Sequence, residues 1–172
     1  MIDETQARQL AEKAIDYDDI SLGPTRELRE GWFFPWRTAR IGCNGVIVNK
    51  RTGRLLHLGS AFPVERDLAM YDRGYQFERY DLVIVAIRDL RETRSAVTKL
   101  RPSVVEPTYE HGQVWRIPKT IPDRVLWKRL EALPCIFPAI NLYFHLELLE
   151  EVRRERWFEF EALEFRPGPI SG

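Results

Sequence analysis

The chain has 172 residues, of which 44% are hydrophobic and 30% are charged, and its 26 basic residues balance its 26 acidic residues. This length suits one domain, or one domain with a substantial extension, and it can bury a core without a metal or disulfide. A net charge of zero argues against a sequence-independent nucleic-acid binder, which needs a basic surplus. The chain has no apolar run of membrane-spanning length, its polar first residues do not resemble a signal peptide, and two cysteines make no disulfide framework. We therefore expect a cytoplasmic protein that binds neither a membrane nor nucleic acid.

The first elements in chain order are a helix and two strands. Asp3 and Gln6 form a capping box, and they precede a single apolar stripe at helical spacing. Strands are predicted over 25–29 and 31–37, and Pro35 should place the second strand at a bulge or a sheet edge because it lacks a backbone donor. The residues of the helical stripe are Ala7, Leu10, Ala11, Ala14 and Ile15.

A hairpin is the clearest prediction in this half. Apolar strands over 46–48 and 55–58 flank a turn that ends in Gly53, which suits a left-handed glycine bulge. Pro63 then begins a second helix, and Gly74 ends it. Of the aromatic residues before the hairpin, we expect two rings to face the core and the others to cover a sheet edge. Those residues are Trp32, Phe33, Phe34 and Trp36.

The second half predicts further helices and strands. The continuous apolar run 82–87 is typical of a strand buried on both faces, and a helix follows over 90–100. Two short strands near 104–105 and 114–117 are joined through 109–112. The remaining elements are a helix opened by Pro122 with Leu126, Leu130 and Leu133, a helix with Leu142, Leu146, Leu149 and Val152, and a closing strand over 158–161.

These elements predict an α+β fold, with a small antiparallel sheet and flanking helices extended by a second α/β half packed against it. The expected organisation is a scaffold over 1–78, an extension over 79–166 that forms one compact unit with it, and a tail over 167–172.

The sequence contains few motifs that indicate catalysis or cofactor binding. Local signatures for phosphate, dinucleotide, zinc or serine-hydrolase chemistry are missing, so we expect no catalytic residues, metal or cofactor. Cys43 could act as a nucleophile with a histidine, although a small apolar side chain at a strand entrance is the more ordinary interpretation. Cys135 is expected to be a buried structural thiol, and His57 should point to solvent because it alternates with two leucines.

The charge is patterned although it sums to zero. Residues 79–101 hold six basic and three acidic side chains, and residues 147–164 hold seven acidic and three basic ones. The basic stretch could meet phosphate or be a solvated helix face, and the acidic stretch could steer a basic partner or be an outer surface. Aromatic side chains near turns are typical binding anchors. The candidate partner-binding residues are Tyr109, His111, Trp127, Glu147, Glu150, Glu151 and Glu155.

A family resemblance is carried by three segments of the first half. Residues 31–34 read GWFF, residues 44–61 read NGVIVNKRTGRLLHLGSA, and residues 63–65 read PVE. In this order they resemble the YrhB-like family, also catalogued as the immunity protein 35 group of bacterial polymorphic toxin systems. The resemblance covers roughly residues 5–75, and the chain departs from the family pattern after Tyr80.

The resemblance implies a non-enzymatic cytosolic protein that binds and neutralises a toxin made by the same cell or its kin. The family has no catalytic residues to transfer, and the matched residues are structural ones. Two alternatives stay open at this point. One is a chaperone-like module that binds client proteins, and the other is a small enzyme that uses Cys43.

Overall fold

A computed structural model describes residues 1–15, 18–37 and 42–166. The chain is an α+β protein, as expected, and the strand pairs of the described residues are antiparallel. It divides into two compact units, residues 1–78 and the residues from Arg79 onward. The predicted tail, 167–172, lies outside the described residues.

The first unit is a five-stranded sheet with a helix on each face. Its strand order is β1–β3–β4–β5, and β2 also pairs with β3. The capping box before α1 is present, with the Asp3 carboxylate accepting from the Gln6 N–H. Of the predicted strand 25–29, only two residues pair. The elements are α1 (Glu4–Lys13), β1 (Ser21–Leu22), β2 (Arg26–Glu27), β3 (Gly31–Arg37), β4 (Cys43–Asn49), β5 (Leu55–Gly59) and α2 (Val64–Asp72).

Alternate residues of β3 and β4 face the two helices. Phe34 is fully buried and packs with Ala7 and Ala11 of α1. On the opposite face a Cβ at Gly31 would lie 2.9 Å from the ring of Tyr71 in α2, so α2 packs closely there. Two of the four aromatic rings are in the core, as expected; the other two, expected to cover a sheet edge, are half-buried and pack against the core cluster beside α1. The buried rings are Phe33 and Phe34, and the half-buried ones are Trp32 and Trp36.

Pro35 occupies a local gap in the sheet. Its carbonyl oxygen accepts a hydrogen bond from the Gly23 N–H at 2.7 Å, so its nitrogen also faces the stretch between β1 and β2. No backbone N–H is needed there to pair with a neighbouring strand, which is why a proline is tolerated inside a seven-residue strand. On its other side Pro35 pairs with Gly45, which lies at a bulge in β4 and has a φ of +150°.

The predicted hairpin of β4 and β5 is confirmed, with Gly53 in the left-handed region at a φ of +70°. Asn49 is the central residue of its turn. The Asn49 Oδ1 accepts hydrogen bonds from the backbone N–H groups of Arg51 and Thr52, each at 3.0 Å. The Asn49 Nδ2 donates to the Tyr71 hydroxyl at 3.0 Å, which ties the turn to α2.

The second unit contains a three-stranded sheet in the order β10–β6–β9 and a separate pair, β7–β8. Both of the strands predicted near 104–105 and 114–117 are longer than expected. The elements are β6 (Tyr80–Ile87), α3 (Leu90–Leu100), β7 (Ser103–Glu110), β8 (Gln113–Thr120), α4 (Asp123–Arg129), β9 (Cys135–Ile140), a 3-10 turn (Leu142–Phe144), α5 (Leu146–Glu155) and β10 (Phe158–Glu164).

The prediction that strand 82–87 is buried on both faces is wrong. Burial alternates along β6: Leu82 and Ile84 are fully buried, whereas Val85 is 41% exposed. The strand is central in an antiparallel sheet, and such a sheet needs cover on one face only. A continuous apolar run therefore did not distinguish a two-sided strand from a one-sided one.

Two boundaries after the hairpin also differ from expectation. Helix α4 ends at Arg129, so Leu133 is outside it and 41% exposed. Strand β9 was not predicted, and it contains a proline, Pro138. The register of β9 against β6 shifts near Pro138, and a bulge is where a strand tolerates a proline.

Candidate functional site

The β7–β8 hairpin is the most exposed regular element of the second unit. Its eight residue pairs run from Ser103↔Thr120 to Glu110↔Gln113. The two turn residues, His111 and Gly112, have φ values of +52° and +78°. Two positive φ angles define the type I′ turn, whose twist matches that of the flanking strands. The turn chemistry therefore fixes this hairpin locally.

Both faces of the hairpin carry exposed apolar side chains. On one face Tyr109 lies across from Val114, and these side chains are 72% and 61% exposed. The opposite face carries Trp115 and Ile117, which are 49% and 52% exposed. Large apolar side chains are normally covered in a strand pair, and an apolar patch left in solvent typically marks an interaction site. The hairpin is thus the strongest candidate for a protein-binding element.

Two prolines protect the outer edges of the hairpin. Because Glu110 and Gln113 flank a two-residue turn, they form a hydrogen-bonded pair, and pairs alternate from there. This places Pro107 and Pro118 at non-hydrogen-bonded positions, where the backbone nitrogen faces outward. Each proline removes a donor from an outer edge, which opposes the addition of another strand. A partner would therefore contact the side chains of this hairpin rather than extend it as a sheet.

Trp127, another predicted anchor, lies on α4 and already has an intramolecular partner. Its indole is 38% exposed, and the Arg94 guanidinium of α3 lies 5.4 Å from the ring centroid. A cation over an indole is a stabilising contact. The ring therefore contributes to the packing of α3 on α4.

The four predicted acidic residues all lie on α5. Glu147, Glu150 and Glu155 are exposed, and Glu151 is half-buried. Basic residues on the same helix offset part of their charge: the Arg154 guanidinium is 2.8 Å from Glu155. The hydrogen bond and charge of Glu155 raise the pKa of Arg154. Helix α5 therefore carries the predicted glutamates, but its net negative charge is smaller than their number indicates.

The predicted binding residues thus occupy three elements. Tyr109 and His111 are brought together at the tip of the hairpin, Trp127 is on α4, and the glutamates are on α5. Sequence reasoning missed Trp115 and Ile117 as candidates. The available signal was the concentration of large apolar residues at 114, 115 and 117. That nothing covers them is a property of the tertiary structure.

The cysteines and histidines lie on different elements. Cys43 is exposed and pairs across the ladder with Gly59. His57 is exposed, as predicted, and its ring contacts Trp36 edge-on with centroids 5.5 Å apart. Cys135 is buried, as predicted, and burial raises the pKa of its thiol. The two other histidines are in the turn of the hairpin and at the N-terminus of α5.

Among the described residues of the second unit, two of the open pockets have polar residues in their linings. One has a volume of about 330 Å³ and is lined by Arg88, Arg153, Arg156, Phe158, Glu159 and Phe160. Within it the Arg88 guanidinium forms an ion pair with Glu159, and the Arg153 guanidinium lies 4.9 Å from the Phe160 ring centroid. The other pocket, of about 240 Å³, includes His145 in its lining.

Among residues 1–15, 18–37 and 42–166, no three His, Cys, Asp or Glu side chains are grouped so that they could hold a metal ion. In the same part of the chain, no helix has the length and apolar character needed to cross a bilayer.

No protein-family model, curated protein or solved structure matches the chain. The resemblance of residues 5–75 to the YrhB-like family therefore stays a prediction.

Proposed function

We propose that this chain is a cytoplasmic immunity protein that binds and neutralises a cognate bacterial toxin, and that the β7–β8 hairpin is its main contact. The observation that carries this proposal is the exposure of Tyr109 and Trp115 on a turn-stabilised hairpin. Binding hot spots are enriched in tyrosine and tryptophan. The resemblance of the first half supplies the class of partner, and the hairpin supplies a surface suited to a protein.

The dimensions of the hairpin suit occlusion of an active site. Eight residues at about 3.3 Å each give a length of about 26 Å, and its two strands lie about 4.8 Å apart. An element this long and narrow can enter a cleft on an enzyme. The turn at His111 would lie deepest, with Tyr109 just behind it, and Trp115 would pack against the wall of the cleft. The toxin would then be inhibited because its substrate cannot enter.

The acidic face of α5 supports a second, peripheral contact. Glu150 and Glu151 lie near the middle of the helix. Surface charges of one sign accelerate association with a partner of opposite charge more than they increase the final affinity. A basic toxin, such as one that acts on a polyanionic substrate, would be attracted by this face.

The experiment co-expresses the chain with the toxin encoded beside its gene, and measures growth, complex formation by gel filtration and the dissociation constant. We expect rescue of growth and a stable complex. Tyr109→Ala and Trp115→Ala should each raise the dissociation constant at least about tenfold, which corresponds to about 1.4 kcal/mol. Leu90→Ala is the matched control, because Leu90 is an exposed apolar residue on α3. An equal effect of the control, or no effect at the hairpin, would contradict the assignment of the contact.

A charge-reversal experiment tests the acidic face separately. Combining Glu150→Lys with Glu151→Lys should raise the dissociation constant at least about tenfold, mainly through a slower association rate. The control combines Glu12→Lys on α1 with Glu131→Lys in the turn after α4, two exposed positions away from α5. If both double variants weaken binding equally, the effect is one of net charge and α5 has no special role.

The same experiments address the alternative functions. Absence of both rescue and a complex would overturn the immunity function. Capture of many unrelated unfolded proteins by the wild-type chain would favour the chaperone-like module. A Cys43 thiol that reacts with a thiol probe much faster than a free cysteine would favour the enzyme.

A further inference from the structure

The smaller pocket of the second unit lies at the base of the β7–β8 hairpin and has a volume of about 240 Å³. It is formed where the first residue of β7 meets the end of α3, the end of β9 and the 3-10 turn. Pockets for drug-sized ligands typically have volumes of roughly 300–1,000 Å³, so this one suits a small ligand. Its lining residues are Arg79, Leu100, Arg101, Ser103, Pro118, Ala139, Ile140, Asn141, Phe144 and His145.

The residues that line the pocket carry a net positive charge. Arg79 and Arg101 are both exposed, and neither guanidinium forms an ion pair with a side chain in the described part of the chain. None of the lining residues is acidic. This distinguishes the pocket from the larger one, where Glu159 neutralises Arg88. Two guanidinium groups beside one cavity indicate that it can accept an anion.

The backbone holds one of these arginines in an unfavourable conformation. Arg101 caps the C-terminus of α3 with a φ of +46°, a position that glycine usually occupies. A side chain in the left-handed region typically costs about 1–2 kcal/mol. Ala139, on the opposite wall, also has a positive φ, of +57°. The left-handed cap places Arg101 in the lining of the pocket, where its charge acts on His145.

We propose that this pocket binds the phosphate group of a small phosphomonoester, with Arg79 and Arg101 as the principal ligands of its oxygen atoms. A phosphate monoester carries a charge of about −1.5 to −2 at pH 7, which two guanidinium groups balance. A carboxylate would leave one of these charges uncompensated. Ser103, Asn141 and His145 add neutral hydrogen-bonding groups to the lining. The proposal is independent of toxin binding, since it involves neither the tip of the hairpin nor the acidic face of α5.

Proton uptake should accompany binding. Burial lowers the pKa of His145, Arg101 lowers it further, and Glu147 opposes them. Arg79, immediately before β6, lines the same pocket. The Asp81 carboxylate accepts a hydrogen bond from the Ala139 N–H at 3.1 Å. A bound anion favours the imidazolium form of His145. Phosphate binding should therefore raise the pKa of His145.

The test uses isothermal calorimetry and thermal unfolding of the full chain at constant ionic strength. Inorganic phosphate and glucose 6-phosphate are the probes, and chloride and acetate are the comparison anions. We expect saturable binding and a higher midpoint temperature with both phosphates. Arg79→Gln and Arg101→Gln should each weaken binding at least about tenfold, since each removes one charged hydrogen-bonding partner. Arg91→Gln, which removes a charge from an exposed side chain of α3, should leave binding unchanged.

A second variant separates loss of binding from loss of folding. Arg101→Gly removes the guanidinium but suits the left-handed φ of this position. It should therefore keep or raise the midpoint temperature without ligand, and still lose phosphate binding at least about tenfold. Three results would overturn the proposal: no saturable phosphate binding, equal weakening by Arg91→Gln, or acetate binding as tight as phosphate binding.

Discussion

Replacement of Asn49 by alanine is the most informative perturbation of the first unit. This residue is 7% exposed and lies between the turn of the β4–β5 hairpin and α2. Its Oδ1 accepts two backbone N–H groups and the Thr52 hydroxyl, and its Nδ2 donates to the Tyr71 hydroxyl and to Gln76. A single amide therefore closes the turn and joins it to the helix. Alanine removes both functions but leaves the backbone free to form the turn.

The magnitude follows from the groups that lose their partners. Loss of a side-chain acceptor for turn N–H groups resembles loss of a helix cap, which typically costs about 1 kcal/mol. The Tyr71 hydroxyl would be left buried without the Asn49 donor, and such a group typically costs about 1–3 kcal/mol. We expect Asn49→Ala to lower the free energy of unfolding by about 3 kcal/mol. For a chain of this length that corresponds to a fall of roughly 6–12 °C in the midpoint temperature.

Urea unfolding followed by tryptophan fluorescence measures this change, with the free energy obtained by linear extrapolation. Tyr71→Phe removes one of the same hydrogen bonds from the other side, and should cost about 1 kcal/mol. The double variant should be less destabilised than the sum of the two, because both remove a shared contact. Asn44→Ala is the matched control, since the Asn44 amide is only half-buried. A loss below about 0.5 kcal/mol for Asn49→Ala would refute the reasoning, since that is the range of a surface substitution.

Two further predictions concern strain and pH. Gly45→Ala should lower the free energy of unfolding by more than about 3 kcal/mol, because the residue has a φ of +150° and a new Cβ would overlap the Phe34 carbonyl oxygen. Gly59→Ala is the control, since its Cβ would come no closer than 3.7 Å to its nearest neighbour. Equal urea midpoints for the two variants would contradict this prediction. The folded-state pKa of His145 lies below the ordinary value of 6.5, so at acidic pH the unfolded chain binds more protons than the folded chain. The stability that the neutral His145 contributes above pH 6.5 is therefore lost as the pH falls. Unfolding at pH 7.5 and 5.5 should therefore show a smaller loss for His145→Gln than for the wild type, and an equal loss would exclude this histidine as the cause.

Local signals in the sequence predicted much of the first unit. The capping box at Asp3, the left-handed turn at Gly53 and the helix between Pro63 and Gly74 are all present. Each signal acts within a few residues of chain, through a backbone hydrogen bond or an allowed φ. Such signals are readable because their partners lie close in sequence.

Strand β9 is an element that local sequence signals did not predict. Pro138 within it opposes a strand, and its pairing partner β6 lies about 55 residues earlier in the chain. Only the fit of β9 against β6, with a bulge near Pro138, makes the strand favourable. The exposed face of β6 is a similar case, because cover over a sheet is supplied by distant elements.

The candidate sites divide in the same way. Tyr109 and His111 were identifiable from the turn between two short apolar segments, because a tight turn places its neighbours at the surface. Trp115 became a candidate only when the hairpin proved to be uncovered on both faces. The phosphate pocket required even more of the tertiary structure, since it combines a residue before β6 with the ends of α3 and β9.

The net charge of zero was set by composition, and the placement of a basic stretch before an acidic one was set by the order of the residues. Composition could not determine which of these charges compensate each other. Folding pairs Arg88 with Glu159, and it leaves Arg79 and Arg101 beside one pocket. The physical reason is that Coulomb interactions depend on distance in space and on local solvent exposure. Sequence order determines neither quantity for residues on different elements, and only the tertiary structure does.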